Sequence, residues 1–184
     1  MTAVGALLFL ALVYFAVGQA AANRNGAQGA ADAAALAAAN DARDQIGQRL
    51  LEPDLDRDDL MELVNGRLFR TSSGCAAAVR FAAKNNAILD PCNRLDAPRS
   101  GFAVSVTSRE SVGNTVVPGT EGIYSEASAR AVVESRCVLK EVEEEDDVVV
   151  EIKLSCQGKT VTIDPDKPDS LPRLGELFTV RLVR

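Results

Sequence analysis

The first 22 residues of the chain, MTAVGALLFLALVYFAVGQAAA, contain no charged side chain. A helix rises about 1.5 Å per residue, so this segment is just long enough to cross the ~30 Å hydrocarbon core of a membrane. A buried helix of a soluble protein would be shorter or would carry a polar face. The sequence therefore predicts a transmembrane anchor over residues 1–22, whose large side chains are Leu7, Leu8, Phe9, Leu10, Leu12, Val13, Tyr14 and Phe15.

The main alternative for this segment is a cleavable signal peptide, because the small side chains of Ala20 and Ala22 would suit a signal peptidase. A signal peptide begins with a basic region, however, and no basic residue precedes Thr2. The apolar run is also long for the hydrophobic part of a signal peptide. We therefore favour a retained anchor.

All four cysteines of the chain, Cys75, Cys92, Cys137 and Cys156, lie C-terminal to the apolar segment. An even number in a small domain beyond a membrane segment is typical of two disulfides in an oxidising compartment. Three pairings are possible, and we favour Cys75–Cys92 and Cys137–Cys156 because each pair joins neighbouring elements. A zinc site is the rival interpretation, and the absence of any CxxC spacing disfavours it.

The cysteines also decide the predicted orientation in the membrane. Arg24 follows the apolar segment, and taken alone it favours the opposite topology. Because disulfides persist only in an oxidising compartment, the cysteines outweigh this one charge. We expect a single-pass protein of the cell membrane with an extracytoplasmic C-terminal domain.

The segment that follows, residues 23–52, is rich in alanine, the best helix former, and contains no proline before Pro53. It predicts a helical stalk that continues the anchor and ends near Leu51. Small side chains recur at every fourth position and form a ridge that would let another helix approach closely. The ridge could pack against the protein's own domain, a second copy or a related subunit, or it could be an accident of the alanine content. Its members are Gly18, Ala22, Gly26, Ala30, Ala34 and Ala38.

Composition excludes several classes of function. The net charge of −6, the pI of about 4.8 and the lack of any lysine or arginine cluster argue against nucleic-acid binding. The absence of histidine excludes Ser-His-Asp, Cys-His and histidine-ligated metal chemistry. No glycine-rich phosphate-binding motif occurs, and no serine has a candidate base. We therefore predict a protein that is not an enzyme and that needs no cofactor.

Two short helices are predicted after the stalk. Asp56 or Asp58 is placed to cap the first of them. The second is predicted over residues 71–86, with Ser72 or Ser73 as its N-cap. Its candidates for burial are Ala76, Val79, Phe81 and Ala82.

The last part of the chain is predicted to form strands. Apolar and small residues alternate from Phe102 to Thr107 with a period of two, and Phe102, Val104 and Val106 share one face. A longer β-type run covers residues 123–139. A hairpin is predicted from residues 148–155 and 160–163, and a final strand from residues 177–183.

The predicted fold class is therefore α+β. A long N-terminal transmembrane helix continues outside the membrane, followed by two short helices and a small antiparallel sheet, in a pilin-like arrangement. The predicted parts are an anchor (1–22), an alanine-rich helical stalk (23–52) and an extracytoplasmic α+β domain with two disulfides (53–184).

The one dense run of charge is acidic, and it has two interpretations. It could form a calcium loop, since carboxylate oxygens are the ligands that hard cations prefer. It could instead form a solvated hairpin tip whose base is closed by Cys137–Cys156. No D-x-D-x-D-G order supports calcium, so we favour the hairpin tip. The run consists of Glu141, Glu143, Glu144, Glu145, Asp146 and Asp147.

Beyond the apolar segment the chain follows the order R-x-x-A-Q-x-A-A-D-A-A-A-L-A-A-A, with Arg24, Ala27, Gln28, Ala30, Ala31, Asp32 and Leu36 in place. This order resembles the one that follows the hydrophobic helix in TadE/TadG-like proteins of Flp/Tad (tight adherence) pilus systems. The rest of the chain, with its paired cysteines and residues 116–121, resembles the short version typical of high-GC Gram-positive bacteria. Gly5 stands where processed members of such systems often carry glutamate, and the D-x-S-x-S metal motif of larger TadG proteins is absent.

This resemblance implies a minor pilin-like or assembly component of a Tad-type pilus or secretion system. Its partners would be other Tad-type pilus or pseudopilin subunits, contacted through the N-terminal helix, and the membrane, with a homo-oligomer as a further option. The alternative is a membrane-anchored extracytoplasmic binding or sensor module unrelated to pili.

Overall fold

The computed structural model describes residues 2–52, 54–95, 98–111, 122–145 and 148–184. Pro53, residues 116–121 and the pair Asp146 and Asp147, all used in the predictions above, lie outside the described residues. The helices are α1 (Thr2–Arg49), α2 (Arg57–Val64), α3 (Thr71–Lys84) and α4 (Leu174–Leu177), with a 3-10 turn at Pro168–Ser170. The strands are β1 (Ala87–Arg94), β2 (Gly101–Ser111), β3 (Tyr124–Ser135), β4 (Cys137–Glu145), β5 (Val148–Cys156), β6 (Lys159–Ile163) and β7 (Phe178–Val183). This arrangement confirms the α+β class with a long N-terminal helix.

Helix α1 is a single uninterrupted helix of 48 residues. At about 1.5 Å per residue it is roughly 72 Å long. Residues 3–26 include no buried residue, whereas burial begins at Ala27 and continues to Leu50. The predicted stalk, residues 23–52, therefore enters the folded domain over most of its length.

Helix α2 begins with the predicted cap. The backbone N–H of Asp59 donates a hydrogen bond of 2.7 Å to the carboxylate of Asp56. This bond satisfies one of the free N–H groups of the first turn. The helix buries Leu60, Leu63 and Val64.

Helix α3 differs from its prediction in both cap and buried face. Arg70 occupies the N-cap position without a side-chain hydrogen bond, so neither Ser72 nor Ser73 is the cap. Ala82 is buried as predicted, but three other candidates are exposed: Ala76, Val79 and Phe81. The physical reason is the closeness of α1 and β1, against which α3 packs. Only small side chains fit there, and the buried set is Gly74, Ala77, Ala78 and Ala82.

The first sheet has four antiparallel strands in the order β1-β2-β3-β7. The predicted alternation in β2 is confirmed, since Phe102, Val104 and Val106 are buried. The inner face of this sheet packs against α1, which contacts β2, β3 and β7. Strand β3 contributes Ala129, Ala131 and Val133 to this face.

The β-type run predicted over residues 123–139 is two strands that belong to different sheets. The chain bends between β3 and β4, where the hydroxyl of Ser135 donates to the carbonyl of Cys137 (2.7 Å) and accepts from its N–H (3.2 Å). Between them, the N–H of Arg136 donates to the carbonyl of Leu177 at 2.8 Å. These local bonds replace continued pairing, and β4 starts a second sheet.

The second sheet has three antiparallel strands in the order β4-β5-β6. The predicted hairpin is its β5–β6 pair, whose turn residues Gln157 and Gly158 have φ of 52° and 83°. Positive φ at both positions is the requirement of a type I′ turn. The buried side chains of this sheet join the same core as α1, among them Ile152, Leu154 and Ile163.

Gly74 marks the closest approach of α3 to the first sheet. A Cβ atom at this position would lie 2.3 Å from the ring of Phe102. That ring is fully buried and packs against Phe69, with 5.4 Å between ring centroids. The ring therefore has little room to move away from an added methyl group.

We expect Gly74→Ala to destabilise the domain. Overpacking of this kind costs ~1–3 kcal/mol, which outweighs the gain of ~1 kcal/mol from replacing glycine in a helix. Urea unfolding of the protein in detergent should show a lower midpoint at an unchanged slope.

Gly175→Ala in α4 is the matched control, since a Cβ there meets no atom within 4 Å. It should leave the midpoint unchanged or raise it slightly. A stability of Gly74→Ala equal to or above that of the control would contradict the packing described for Phe102.

Candidate interaction site on the N-terminal helix

The first half of α1 projects from the domain and exposes large apolar side chains on every side. Four consecutive residues, Leu7 to Leu10, are each more than 60% exposed. A helix that is apolar all round belongs in a protein core or a membrane. The exposed set is Val4, Leu7, Leu8, Phe9, Leu10, Leu12, Val13, Tyr14, Phe15 and Val17.

By length and composition this half is a candidate membrane anchor. Its most apolar window of 18 residues has a mean hydropathy of 2.0 and no buried residue. Removing apolar surface from water is favourable by about 25 cal/mol per Å². Lipid or other apolar helices would therefore stabilise this surface, and water would not.

Polar side chains mark the point where the helix meets the domain. The amide of Asn23 donates to the carbonyl of Glu110 at 3.5 Å, and that of Gln28 donates to the carbonyl of Ser128 at 3.5 Å. Gln28 also donates to the carboxylate of Asp32, one turn further on, at 2.8 Å. The contacts with Glu110 and Ser128 join α1 to one end of β2 and to β3, where the apolar half leaves the domain.

The alanines that follow this point are core residues. Ala27 is 2% exposed, and most later alanines of the helix are fully buried. An alanine face lets the helix lie close to the first sheet and to α3. Sequence reasoning placed these residues on a stalk, because alanine signals helix formation strongly and burial only weakly. The buried members are Ala27, Ala30, Ala31, Ala34, Ala35, Ala37, Ala38, Ala39 and Ala42.

The ridge of small residues is divided by the same boundary. Ala30, Ala34 and Ala38 are 0% exposed and pack inside their own domain, so a partner helix cannot reach them. Gly18, Ala22 and Gly26 are exposed, and a Cβ at either glycine would meet no atom within 4 Å. The second half of the ridge thus packs against the protein's own domain, which was one of the three predicted options. The first half is exposed and accessible to another helix.

Both disulfides favoured from the sequence are present. Cys75–Cys92 links α3 to β1, with 5.8 Å between Cα atoms. Cys137–Cys156 links β4 to β5 at directly paired positions of the second sheet. Each bridge therefore fastens two neighbouring elements, and both lie in the domain beyond α1.

The described part of the acidic run belongs to the β4–β5 hairpin, where Glu145 pairs with Val148. The ammonium group of Lys153 lies 3.2 Å from the carboxylate of Glu141, 2.6 Å from that of Glu143 and 3.0 Å from that of Glu151. Hydrogen bonds to Glu143, then Glu151 and Glu141, raise the pKa of Lys153 well above its ordinary value. The lysine thus offsets part of the negative charge of the hairpin.

Two further ion pairs perturb their partners on the surface. Hydrogen bonds from Arg181 on β7 lower the pKa of Glu134 on β3, and Glu134 in turn raises the pKa of Arg181. A 2.6 Å contact with Lys167 lowers the pKa of Asp164, and the pKa of Lys167 is raised. These pairs tie neighbouring segments and do not converge on a common cleft.

The described residues contain no group of three or more His, Cys, Asp or Glu side chains that could hold a metal ion. On the outer face of the first sheet, the hydroxyls of Ser105 and Ser128 are hydrogen-bonded to each other at 2.8 Å. The surface that stands out in the described part of the chain is thus the exposed half of α1.

Residues 1–41 match the Tad family model, whose description reads "Putative Flp pilus-assembly TadE/G-like". The match confirms the TadE/TadG-like resemblance over this segment and supports involvement in a Flp/Tad pilus system. It covers the exposed half of α1 and the first part of its buried half. No curated protein and no solved structure matches the chain.

The boundary in α1 predicts the outcome of two deletions. Residues 3–22 include no buried residue, so the protein that lacks residues 2–22 should fold and stay soluble without detergent. Removing residues 2–38 also removes the buried alanines from Ala27 to Ala38, and the domain should fail to fold. Near-ultraviolet circular dichroism and thermal unfolding report both outcomes. Cooperative unfolding of the longer deletion would show that the alanine-rich segment is a separate stalk.

The disulfides predict a simple chemical result. Non-reducing peptide mapping of protein from intact cells should find Cys75 linked to Cys92 and Cys137 linked to Cys156. Replacing Cys137 and Cys156 together by serine should cost on the order of 3 kcal/mol of unfolding free energy. Four free thiols in protein from intact cells would contradict both the pairing and the oxidising compartment.

Proposed function

We propose that this chain is a membrane-anchored, pilin-like or assembly component of a Tad-type pilus or secretion system. The observation that carries the proposal is the family match over residues 1–41. The first half of the helix that contains this segment exposes an apolar surface, and its second half packs in the core of a domain. Such a helix can hold a folded domain at a membrane or in a helical assembly.

The two disulfides support an extracytoplasmic position for the domain. Disulfides form and persist in oxidising compartments and are rare in the cytosol. Both lie in the part of the chain that follows the apolar half of α1. We therefore propose a single span with the domain outside the cell membrane.

The exposed half of α1 is the proposed contact with other subunits. Helices in membranes associate through close packing at small residues, because lipid already satisfies their apolar side chains. Gly18, Ala22 and Gly26 supply such a surface one turn apart, and none of the described residues of their own domain covers it. The partners we propose are other Tad-type pilus subunits or a second copy of this chain, each contributing an apolar helix.

We propose a structural role without catalysis. The matched family is described by pilus assembly, and the chain contains no histidine. The conspicuous feature of the described surface is an apolar helix, and the clustered carboxylates around Lys153 are engaged in ion pairs.

A pair of alanine substitutions in a cell that carries the Tad system tests the proposal. Ala22 and Ala20 are both exposed and lie about 200° apart around the helix. Ala22→Leu adds bulk to the open ridge, and Ala20→Leu adds the same bulk on another side. Leucine is a good helix former, so α1 itself should persist. We expect Ala22→Leu to reduce co-purification with Tad subunits and to reduce surface filaments, and Ala20→Leu to leave both unchanged.

Gene deletion tests the proposed function, and the two leucine variants test whether the ridge is the contact surface. If deletion of the gene leaves filaments and secretion intact, the proposed function is wrong. If deletion abolishes them but Ala22→Leu behaves like Ala20→Leu at equal expression, the function stands and the ridge is not the contact surface.

A further inference from the structure

Two large apolar residues are exposed at the start of β3. Ile123, just before the strand, is 51% exposed, and Tyr124, its first residue, is 52% exposed. Other large apolar residues of the described domain are exposed singly, among them Ile88 and Val138, whereas Ile123 and Tyr124 are consecutive. Both residues lie near the point where the apolar half of α1 leaves the domain.

Hydrogen bonds hold this end of β3 beside the exit of the apolar helix. Tyr124 pairs with Ser111 of β2, the residue that follows Glu110. The carbonyl of Glu110 accepts a bond from the side chain of Asn23 at 3.5 Å, directly after the apolar half of α1. The N–H of Ser125 donates to the hydroxyl of Ser108 (2.9 Å), which donates to the same carbonyl of Glu110 (2.8 Å).

The course of α1 and β3 shows that this is one end of the domain. From Asn23 to Gly47, α1 advances roughly 36 Å at ~1.5 Å per residue. From Tyr124 to Ser135, β3 advances about the same distance at ~3.3 Å per residue. Both far ends meet one segment, because Gly47 abuts Leu174 and Ser135 pairs with Phe178. Helix and strand therefore run side by side, and Tyr124 lies at the level where the apolar half begins.

We propose that Ile123 and Tyr124 form a second membrane contact, seated in the interfacial layer of the bilayer that α1 crosses. The inference rests on the proposed anchoring of α1. If residues 3–22 fill the hydrocarbon core, Asn23 and Arg24 lie at its edge, and Tyr124 lies beside them in the headgroup layer. Tyrosine is enriched at that depth because its ring is apolar and its hydroxyl is polar. The domain then rests on the membrane at two points, which restrains its tilt.

The charges near Ile123 and Tyr124 indicate whether the contact requires anionic lipid. Arg24 and Arg109 are balanced by Glu110 and Glu126 at the same end of the sheet. A contact with anionic lipid would show an excess of basic residues. The contact is therefore made through apolar and aromatic side chains, and zwitterionic lipid is sufficient for it.

The absence of tryptophan from the chain allows a direct test. Three full-length variants each carry a single tryptophan: Tyr124→Trp at the proposed contact, Phe9→Trp within the apolar helix, and Val138→Trp on β4. Val138 is 59% exposed and lies beyond the far end of β3, so it is the matched control. Each variant is placed in phosphatidylcholine vesicles with and without bromine on the acyl chains close to the glycerol backbone.

The expected result is a loss of emission in brominated vesicles for Phe9→Trp and Tyr124→Trp, with a blue shift relative to Val138→Trp, which should be unaffected. If Phe9→Trp is quenched and Tyr124→Trp behaves like Val138→Trp, the anchor stands and the second contact is refuted. Equal quenching at Tyr124→Trp and Val138→Trp also refutes it, because the domain would then have no preferred end at the membrane. If none of the three is quenched, the proposed anchoring fails and this inference fails with it.

Discussion

The packing of the alanine-rich half of α1 against the first sheet and α3 is the contact on which the rest of the structure depends. A single methyl group buries little apolar area, so this contact gains its strength from the short distance between backbones and from its length. Small residues on the facing elements make that distance possible, among them Ala78 and Ala82 on α3 and Ala131 on β3. A longer side chain at any of these positions would separate the layers.

The core changes in character along the helix. Near the exit of the apolar half it is built from alanine, and further on α1 contributes Ile46 and Leu50. The larger side chains of α2 and of the second sheet belong to the same core, among them Leu60 and Ile152. The second sheet contacts α2 through β4, and the bridge between β4 and β5 holds its first two strands together. Alanine packing near the exit of the apolar half and larger side chains further along α1 thus build one domain.

Local chemistry was read correctly from the sequence wherever one residue type determines the outcome. Uncharged residues predicted the first half of α1, Asp56 predicted a cap, and the alternation from Phe102 predicted a strand. Prediction failed where small residues act through their neighbours. Val79 was expected inside α3 and is 52% exposed, because the space beside α1 admits only glycine and alanine. The ridge is exposed up to Gly26 and buried from Ala30, and this boundary follows from where the first sheet ends. No local sequence pattern predicts where the sheet ends.

The continuity of α1 has a consequence for how the domain faces its surroundings. No proline or break separates the exposed half from the buried half, so the two cannot swivel independently. The azimuth of the domain about the helix axis is set by the number of residues between them. Adding one residue just before Gly26 would turn the domain by about 100° relative to the apolar half and shift it by ~1.5 Å along the axis. The buried contacts from Ala27 onward would be unchanged, and the hydrogen bond of Asn23 to Glu110 would be lost. The number of residues in this junction therefore determines how the domain is oriented in an assembly, just as the side chains on the helix surface determine what it contacts.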